Sequence, residues 1–460
     1  MKTIGKLHTY PARENKKTMV GIGFECLDRE LFRPEKCYDL LEQSGIGSAR
    51  CQTGWAKCEK EPGVYDFAWL DAIVDALLSR SIRPWFNVGF GNPLYMKNAP
   101  NPTCVGCVPL LYGEETYAAW RRFLAALADH FAGRVTEFEI WNEPDIAQFW
   151  YPGAPDPTRY AALVRDAGEI LRKRIPEAKI GACVSRIRLP FIQAVAEALP
   201  QGCLDFFSYH TYSMVPEENY LANVAQMRQV LASAGHPETE LRQGEGGFPS
   251  WFPENHWLHP HAAGSERQQA VWQLRRYFLD AAAGVRHSSF FQMADLWEKP
   301  YEKAQEVLRK PAAQGILNGI TYTPKKSYET ITRLAAIFSG DVAPAPFWFT
   351  GRADDLSVTE RISKLCLSYR INQNPVFAYY VPTDIQAETD PAALFDATIS
   401  LPTGERELRD PVLVDPYTGL VSDLAEHTCR CGSLLLLTGL PIRDYPLLLC
   451  DRSAFRIDPL

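Results

Sequence analysis

The sequence has no apolar run of the roughly 18 residues that a membrane-spanning helix needs. It also has no block of basic residues that would follow a phosphate backbone, and 48 lysines and arginines against 55 aspartates and glutamates give a net charge of −7. The N-terminal stretch MKTIGKLHTYPARENKK lacks the apolar core of an export signal. We therefore expect a cytoplasmic protein that binds neither nucleic acid nor a membrane.

Cysteines are scattered over the chain and do not form the regular framework of a disulfide-rich domain. Without an export signal they are expected to be reduced thiols. A zinc site would require Cys104 and Cys107 to meet the distant pair Cys429 and Cys431, so we predict no metal and no other cofactor. No Gly-rich phosphate loop follows the first strand, which disfavours a dinucleotide-binding fold.

Short β-branched or aromatic runs alternate with longer helical patterns over residues 18–340. The segment DFAWLDAIVDALLSR, for example, spaces its apolar residues along one helix face. Eight such strand-then-helix units favour a closed (β/α)8 TIM barrel over an open sheet. The predicted strands are TMVGIGFE, SARCQTGW, RPWFNVGFG, VTEFEIW, AKIGACV, LDFFSYH, ELRQG and SSFFQMA.

From residue 341 onward the pattern changes to short alternating runs without long helices. SKLCLSYRI, PVFAYYV, PVLVDPYTGLV and GSLLLLTGL are separated by turn residues. This pattern predicts a C-terminal β-sandwich domain over residues 341–460, with residues 1–17 packing on it. The expected fold class is α/β, a (β/α)8 barrel followed by that domain.

The stretch EFEIWNEPD ends a predicted strand with an unusual polar group. Alternation places Glu139, Trp141 and Glu143 on one face and Phe138 and Ile140 on the other. Active sites of barrels lie where the strands end, so we expect Glu143 at the barrel mouth and Glu139 deeper, paired with Arg50 or another cation. Other predicted strand ends present Asn92, Asn142, His210, Tyr212, Glu245, Asp295 and Trp297.

Glu143 and Glu245 follow strands four and seven, on opposite sides of the same mouth. Glycoside hydrolysis needs such a pair, one carboxyl to protonate the departing oxygen and one to attack the anomeric carbon or activate water. Carboxyls about 5 to 5.5 Å apart mean retention of configuration, and roughly 6.5 to 9.5 Å means inversion. The pair therefore predicts a glycosidase, with the stereochemistry set by a distance.

WNEP, HTY, a glutamate ending strand seven and a tryptophan ending strand eight resemble the clan A glycoside hydrolases. GWAKCEKEPGVYDFAWLD and GNPLY are most similar to family 39, whose β-xylosidases and α-L-iduronidases have a barrel with an attached β-sandwich. The resemblance implies that Glu143 is the general acid and base, Glu245 the nucleophile, and Asn142 a donor to the sugar 2-hydroxyl. It also implies contacts to the nucleophile or the sugar from Arg50, Tyr212 and His210.

Two features depart from the family pattern. Glycines surround Glu245, which leaves Glu240 as a rival nucleophile; we favour Glu245 because ELRQG fills the strand and puts Glu245 at its mouth. Tyr212 stands where a lysine is expected when a uronate is bound. This disfavours iduronidase activity.

The loop GGFPSWFPENHWLHPHAAG after strand seven is long and rich in aromatic residues and histidine. Long loops at this end shape pockets or act as lids, and a closed pocket favours exo action on a terminal sugar. His256, His259 and His261 do not have the spacing of one helix face. From this loop and the other strand ends we predict substrate contacts by Trp251, Trp257, Trp297 and Asn92.

Three hypotheses remain open from the sequence. The first is a retaining exo-glycosidase acting by double displacement on a terminal β-linked sugar of an oligosaccharide or small glycoside, of β-xyloside, β-glucoside or β-galactoside type. The second is a metal-dependent barrel hydrolase using the histidine-rich loop and Asp295, which a chelator would inactivate. The third is a non-catalytic carbohydrate-binding barrel, which turnover of an aryl glycoside would exclude. The oligomeric state, homo-oligomer or monomer, is left open.

Overall fold

In the computed structural model of this chain, the described residues are 1–15, 17–251, 264–296, 312–345, 349–353, 356–363, 365–385, 396–402 and 408–460. Eight of their strands form a closed barrel whose neighbouring strands are all parallel. The predicted (β/α)8 barrel is confirmed. Barrel strands one to eight are Val20–Gly23, Ser48–Gln52, Arg83–Val88, Glu137–Ile140, Lys179–Val184, Phe206–His210, Glu240–Gly246 and His287–Phe290.

Helices follow the barrel strands, and the helix Pro157–Arg172 begins with the expected local signals. The side chain of Asp156 caps one helix by accepting from the backbone N–H groups of Thr158 and Arg159, both at 3.0 Å, and Pro157 occupies the first turn. The main helices are Tyr38–Gln43, Ala68–Leu78, Glu114–Phe131, Pro157–Arg172, Leu189–Ala198, Tyr220–Ser233, Glu266–Ala282 and Lys326–Ile337. Further α-helices span Trp55–Cys58 and Leu356–Ser363, and 3-10 turns span Pro34–Lys36, Pro109–Leu111, Ala147–Phe149, Ala425–His427 and Arg452–Ala454.

Barrel strand four shows why the sequence alternates. Phe138 is fully buried against Phe86 of strand three, with ring centroids 6.0 Å apart, and Phe86 meets Phe131 of the helix Glu114–Phe131 at 5.1 Å. Burying such a side chain stabilises the fold by about 1.5–3 kcal/mol. Glu139, the next residue, is buried inside the barrel among polar groups. The apolar face of the strand therefore packs toward the surrounding helices, and its polar face points into the interior of the barrel.

Antiparallel sheets accompany the barrel. The N-terminal strand Lys2–Leu7 pairs with Leu420–Asp423 and with Ile457–Asp458 in an eight-stranded sheet. The other strands of that sheet are Val342–Pro344, Leu367–Ile371, Asn374–Tyr379, Pro411–Val414 and Leu447–Asp451; a four-stranded sheet contains Thr350–Ala353, Asp396–Pro402, Thr428–Cys431 and Leu434–Pro441, and Glu59–Glu61 pairs with Val64–Tyr65. The sandwich arrangement and the predicted domain boundaries stay predictions.

Polar contacts join the C-terminal part of the chain to a barrel helix. The hydroxyl of Tyr369 donates to the carbonyl oxygen of Phe278 at 2.7 Å, and the guanidinium of Arg267 pairs with Asp444 at 2.9 Å. Both Phe278 and Arg267 belong to the helix Glu266–Ala282, which immediately precedes barrel strand eight. Within the described part of the chain, no helix is both long and apolar enough to cross a lipid bilayer.

Candidate active site

A cavity of about 740 Å³ opens where the barrel strands end. Its lining includes Glu143, which follows strand four, His210, which ends strand six, and Glu245, near the end of strand seven. A carboxyl oxygen of each glutamate and a ring nitrogen of His210 all lie within 4.8 Å of one another. Three residues from distant parts of the sequence therefore meet in one cavity.

The backbone after strand four turns sharply to place Glu143. Trp141 and Glu143 both adopt left-handed conformations, with φ of 70° and 46°, which side-chain-bearing residues rarely adopt. The indole N–H of Trp141 donates to the carbonyl oxygen of Phe149 at 2.7 Å, and the amide of Asn87 donates to the carbonyl oxygen of Trp141 at 2.7 Å. These two contacts hold the turn, so the WNEP motif is a fixed bend that directs Glu143 into the cavity.

Arg50 in strand two is the central cation of the site and is almost fully buried. Its guanidinium donates to the carboxylate of Glu245, to the Oδ1 of Asn142 at 2.8 Å and to Glu139, with the Nε bond at 3.1 Å. It also lies 2.7 Å from the Oε2 of Glu25. The expected pairing of Arg50 with Glu139 is thus present, and Arg50 contacts Glu245 as well.

Glu139 lies below the cavity and is fully engaged as an acceptor. Besides Arg50, its carboxylate accepts from the amide of Asn87 at 2.7 Å and from the hydroxyl of Ser208 at 2.5 Å. Glu139 does not line the cavity. It therefore orients Arg50 and does not contact substrate.

The surroundings of Glu245 keep it ionised. Burial alone would raise the pKa of this carboxyl, but the charges of His210 and Arg50, together with a hydrogen bond from the hydroxyl of Tyr212 at 2.9 Å, outweigh burial and lower the pKa to about 2. Both carboxylate oxygens are held, one by Arg50 and one by Tyr212. An ionised, oriented carboxylate is what a nucleophile requires.

Glu143 has the opposite electrostatic setting. Burial raises the pKa of Glu143, and the nearby charge of Glu245 adds to the effect although the hydrogen bond to His210 opposes it. The Nδ1 of His210 lies 2.6 Å from Glu143 and 3.6 Å from Glu245. Burial would lower the pKa of His210, yet Cys183, Glu245 and Glu143 together raise it well above its usual value. The two glutamates are thus suited to different tasks, one holding a proton and one carrying charge.

Glu240, the rival nucleophile, lies at the other end of strand seven. Its carboxylate pairs with Arg242 at 2.8 Å and lines a separate polar cavity with Glu137 and His287. Strand seven starts at Glu240 and ends at Gly246, so the length of the strand separates Glu240 from the cavity of Glu143. This geometry favours Glu245.

Asn92 does not contact the cavity. Its side-chain amide donates to the carbonyl oxygens of Glu59 at 2.9 Å and Trp55 at 3.4 Å, and its Oδ1 accepts from the backbone N–H of Leu94 at 2.9 Å. The side chain is fully buried and the residue is not part of the cavity lining. We therefore correct the expectation of a sugar contact, because Asn92 instead holds the loop after strand three.

The predicted aromatic contacts have mixed outcomes. Trp251 is 44% exposed and is not part of the cavity lining, so the structure does not support its assignment to the substrate. Trp257, Trp297 and the three histidines of the long loop lie outside the described residues. Among the described residues, the phenylalanines and tyrosines that line the cavity are Phe90, Phe149, Tyr212 and Phe291. Phe90 and Phe149 stack at 5.6 Å and form an apolar wall.

Glu25 is a site residue that sequence reasoning missed. It lines the cavity two residues beyond strand one, is 1% exposed and contacts Arg50. The signal was present in the sequence, since the predicted strand TMVGIGFE ends on this glutamate. The missing information was that the carboxyl of Glu25 reaches the guanidinium of Arg50 on the neighbouring strand two.

Two groups of side chains have the spacing of metal ligands. One is Glu143, His210 and Glu245, and the other is Glu139, Cys183 and His210. Their oxygens and ring nitrogens already contact Arg50, Tyr212 or each other at hydrogen-bond distance. We therefore interpret both groups as proton-transfer and orienting arrangements. Asp295 pairs with the ammonium group of Lys325 at 2.7 Å and does not line the cavity.

Replacing the central cation tests the charge balance of the site. In Arg50→Met we expect the free energy of unfolding at pH 7 to fall by about 3–5 kcal/mol, because buried carboxylates lose their partner. Urea unfolding gives this value. The matched control is Arg186→Met, which removes an exposed arginine at the edge of the same cavity and should change stability by no more than about 0.5 kcal/mol. Equal losses in the two variants would contradict the central role of Arg50.

Comparison with known proteins gives a consistent result. Residues 49–243 match the family model described as Glycosyl hydrolases family 39. A beta-xylosidase of Geobacillus stearothermophilus is 31% identical over 99 residues, which cover 19% of this chain and 18% of that protein. A beta-xylosidase of Caldicellulosiruptor saccharolyticus is 22% identical over 192 residues, covering 39% of this chain and 37% of that protein. The matches thus span less than half the length of these curated relatives.

A solved structure extends the likeness to the whole fold. The structure of a family 39 glycoside hydrolase from the gut symbiont Bacteroides cellulosilyticus WH2 superposes with a TM-score of 0.68 at 16% sequence identity. The superposition covers 96% of this chain and 82% of that chain. At this identity the likeness establishes the fold and leaves the chemistry to the side chains.

Proposed function

We propose, on the premise that this chain belongs to glycoside hydrolase family 39 of clan A, that it hydrolyses a terminal β-linked sugar with retention of the anomeric configuration. The observation that carries the proposal is the distance between the two carboxyls, whose closest oxygens lie within 4.8 Å. Retaining enzymes hold their carboxyls about 5 to 5.5 Å apart, whereas inverting enzymes need roughly 6.5 to 9.5 Å to admit water. The close approach supports a double displacement.

In the first step, a carboxylate oxygen of Glu245 attacks the anomeric carbon. Glu143 donates its proton to the glycosidic oxygen, so the C–O bond breaks and the aglycone leaves as an alcohol. A covalent ester between the sugar and Glu245 results. Arg50 and Tyr212 hold Glu245 ionised and oriented for this attack.

In the second step, Glu143 is a carboxylate and acts as the base. It takes a proton from a water molecule, whose oxygen attacks the anomeric carbon and displaces Glu245. The free sugar leaves with its original configuration, Glu143 is protonated again, and Glu245 is again ionised. His210, 2.6 Å from Glu143, orients that carboxyl through both steps.

The sugar is proposed to be a xylose, glucose or galactose unit in β linkage. Since both curated relatives carry the name beta-xylosidase, a β-xyloside is the first substrate to test. The Oδ1 of Asn142 accepts from Arg50, which leaves the amide N–H groups of Asn142 to donate to the sugar 2-hydroxyl. Exo action is part of the proposal and rests on the long loop after strand seven.

A panel of nitrophenyl glycosides tests the proposal. Wild-type protein should release nitrophenol from at least one β-glycoside, and proton NMR should show the β-anomer of the sugar before mutarotation. An α-anomer as first product would contradict the double displacement. A chelator should leave the rate of hydrolysis unchanged. Loss of activity in the presence of a chelator would instead favour a metal-dependent hydrolase.

The pH dependence follows from the two carboxyls. Activity requires Glu245 ionised and Glu143 protonated, and the environment lowers the pKa of Glu245 to about 2 while it raises the pKa of Glu143. We expect kcat/KM to fall on the alkaline side as Glu143 loses its proton. With an activated aryl glycoside, Glu143→Ala should lose this alkaline fall. An alkaline fall that persists in that variant would assign it to another group.

A further inference from the structure

Glu25 occupies a position that the hydrolysis mechanism does not use. It follows barrel strand one, lines the cavity and is 1% exposed. Its Oε2 lies 2.7 Å from the Nη1 of Arg50, the same nitrogen that donates to Glu245. Its carboxyl lies within hydrogen-bond reach of Glu245. Two carboxyls therefore meet side by side on one nitrogen of the guanidinium.

The other oxygen of Glu25 is a buried acceptor without a partner. Among the described residues, Oε1 finds no hydrogen-bond donor. A buried carboxylate oxygen without a donor is costly because the charge is not stabilised, whereas the carbonyl oxygen of a neutral acid costs much less. This geometry favours the neutral form of Glu25.

The charge balance of the buried site points the same way. Two cationic side chains face four carboxyls. Among the described residues, the other cations near the cavity are Arg29 and Arg188, which pair with Asp28 and Asp145, and the exposed Arg186. Like charges held this closely cannot all be ionised. One proton belongs to Glu143, the acid of the reaction, and a second carboxyl must hold another. The groups counted are Arg50 and His210 against Glu25, Glu139, Glu143 and Glu245.

The second proton fits Glu25 best. Glu139 accepts from Arg50, Asn87 and Ser208, and Glu245 accepts from Arg50 and Tyr212, so both are well stabilised as anions. Burial raises the pKa of Glu25 well above its usual value; the neighbouring Glu245 adds to the effect and Arg50 opposes it. In the described part of the chain, the titratable and charged groups that face Glu25 are Arg50 and Cys51 from strand two, Tyr212 after strand six, Glu245 from strand seven, and Cys26 and Arg29 from its own loop.

We propose that Glu25 is a positioning residue for the nucleophile: as a neutral carboxylic acid it donates its O–H to the carboxylate of Glu245 and keeps that carboxylate ionised and aimed at the sugar. The role of Glu245 in this statement rests on the proposed function. Glu25 itself neither attacks nor protonates the substrate. Its effect is to add one donor to the two that Arg50 and Tyr212 supply.

The melting temperatures of Glu25→Gln and wild type, compared between pH 4.5 and pH 8, test whether Glu25 is protonated in the folded protein. A neutral Glu25 keeps its proton in the folded protein but loses it in the unfolded chain above the ordinary carboxyl pKa. The unfolded state therefore binds fewer protons, and wild-type stability falls as pH rises until the folded pKa is reached. Because glutamine cannot ionise, the melting temperature of Glu25→Gln should exceed that of wild type by a margin that grows with pH.

Glu137→Gln is the matched control. Arg242 outweighs burial and lowers the pKa of Glu137 to about 2, so this partly buried carboxylate stabilises the fold above the unfolded pKa, and that stability is lost as pH falls. Glu137→Gln should therefore melt below wild type at pH 7, with a gap that closes toward acid pH. If Glu25→Gln behaves like Glu137→Gln, Glu25 is ionised and the inference is overturned.

Kinetics on the glycoside that wild type hydrolyses fastest test whether Glu25 acts as a hydrogen-bond donor to Glu245. Glutamine keeps the size of the side chain and an N–H donor, so Glu25→Gln should keep kcat/KM within about threefold of wild type. Glu25→Ala should lose about tenfold or more in kcat/KM. The acid limb of its pH profile of kcat/KM should shift to higher pH by about one unit, because Glu245 has lost a hydrogen-bond donor. A purely structural role would leave the acid limb in place, which would overturn the positioning role. The melting temperatures do not depend on whether the wild-type protein hydrolyses a glycoside. Failure of the proposed function can therefore be distinguished from failure of this inference.

Discussion

Glu245→Ala is expected to lower kcat on a nitrophenyl β-glycoside by about 10⁴-fold or more, because the variant lacks the carboxylate that forms the covalent intermediate. Glu245 is the ionised carboxylate of the cavity, held by Arg50 and Tyr212. An activated leaving group should not rescue the rate, since the missing bond is the one to the anomeric carbon. Initial-rate measurement at saturating substrate gives the value, and thermal melting shows that the variant is folded.

Glu240→Ala is the control for this prediction. Glu240 belongs to the same strand but pairs with Arg242 at the far end of the barrel. Its removal should leave kcat within about threefold of wild type. If Glu240→Ala abolishes turnover while Glu245→Ala does not, the assignment of the nucleophile is wrong.

Glu143→Ala should have an effect that depends on the leaving group. With an unactivated disaccharide, loss of the acid should lower kcat by about 10²–10⁴-fold. With a nitrophenyl glycoside the first step needs little protonation, so that step should be affected much less. The second step then lacks its base and limits turnover. A burst of nitrophenol, equal to the enzyme concentration, should therefore precede the slow phase.

Azide distinguishes Glu143 from a residue that merely supports the fold. A small anion can enter the space left by Glu143→Ala and attack the glycosyl-enzyme without needing a base. We expect azide to raise the rate of this variant and to give the β-glycosyl azide, with the configuration retained. The same addition should not help Glu245→Ala by that route, where no glycosyl-enzyme forms. An α-glycosyl azide from Glu143→Ala would mean that the two roles have been exchanged.

Much of the site was predictable because each residue ends a predicted strand. Glu143, His210 and Glu245 were expected at the mouth of the barrel, and the structure brings them within one cavity. Glu25 was missed because its importance comes from Arg50 on the neighbouring strand. Asn92 was assigned to the sugar because the sequence does not show whether an amide is engaged; in the fold, two backbone carbonyls occupy it.

Elements were predicted best where the local pattern was long. The segment DFAWLDAIVDALLSR, whose apolar residues follow one helix face, forms the helix Ala68–Leu78. The short segment PEKCYDLLEQSG forms the 3-10 turn Pro34–Lys36 followed by the helix Tyr38–Gln43, and not one continuous helix. Short segments carry too few periods to determine where a helix begins.

The order of polar and apolar residues by itself determined the barrel, its eight strands and the positions of two acidic residues at its mouth, because strand and helix periods are local properties of the chain. Only the tertiary structure decided that those carboxyls approach within 4.8 Å, and that Arg50 joins Glu25, Glu139 and Glu245 in one charge network. The physical reason is that proton affinity depends on burial and on neighbouring charges. Here those neighbours come from barrel strands one, two, four, six and seven, which meet only when the barrel closes.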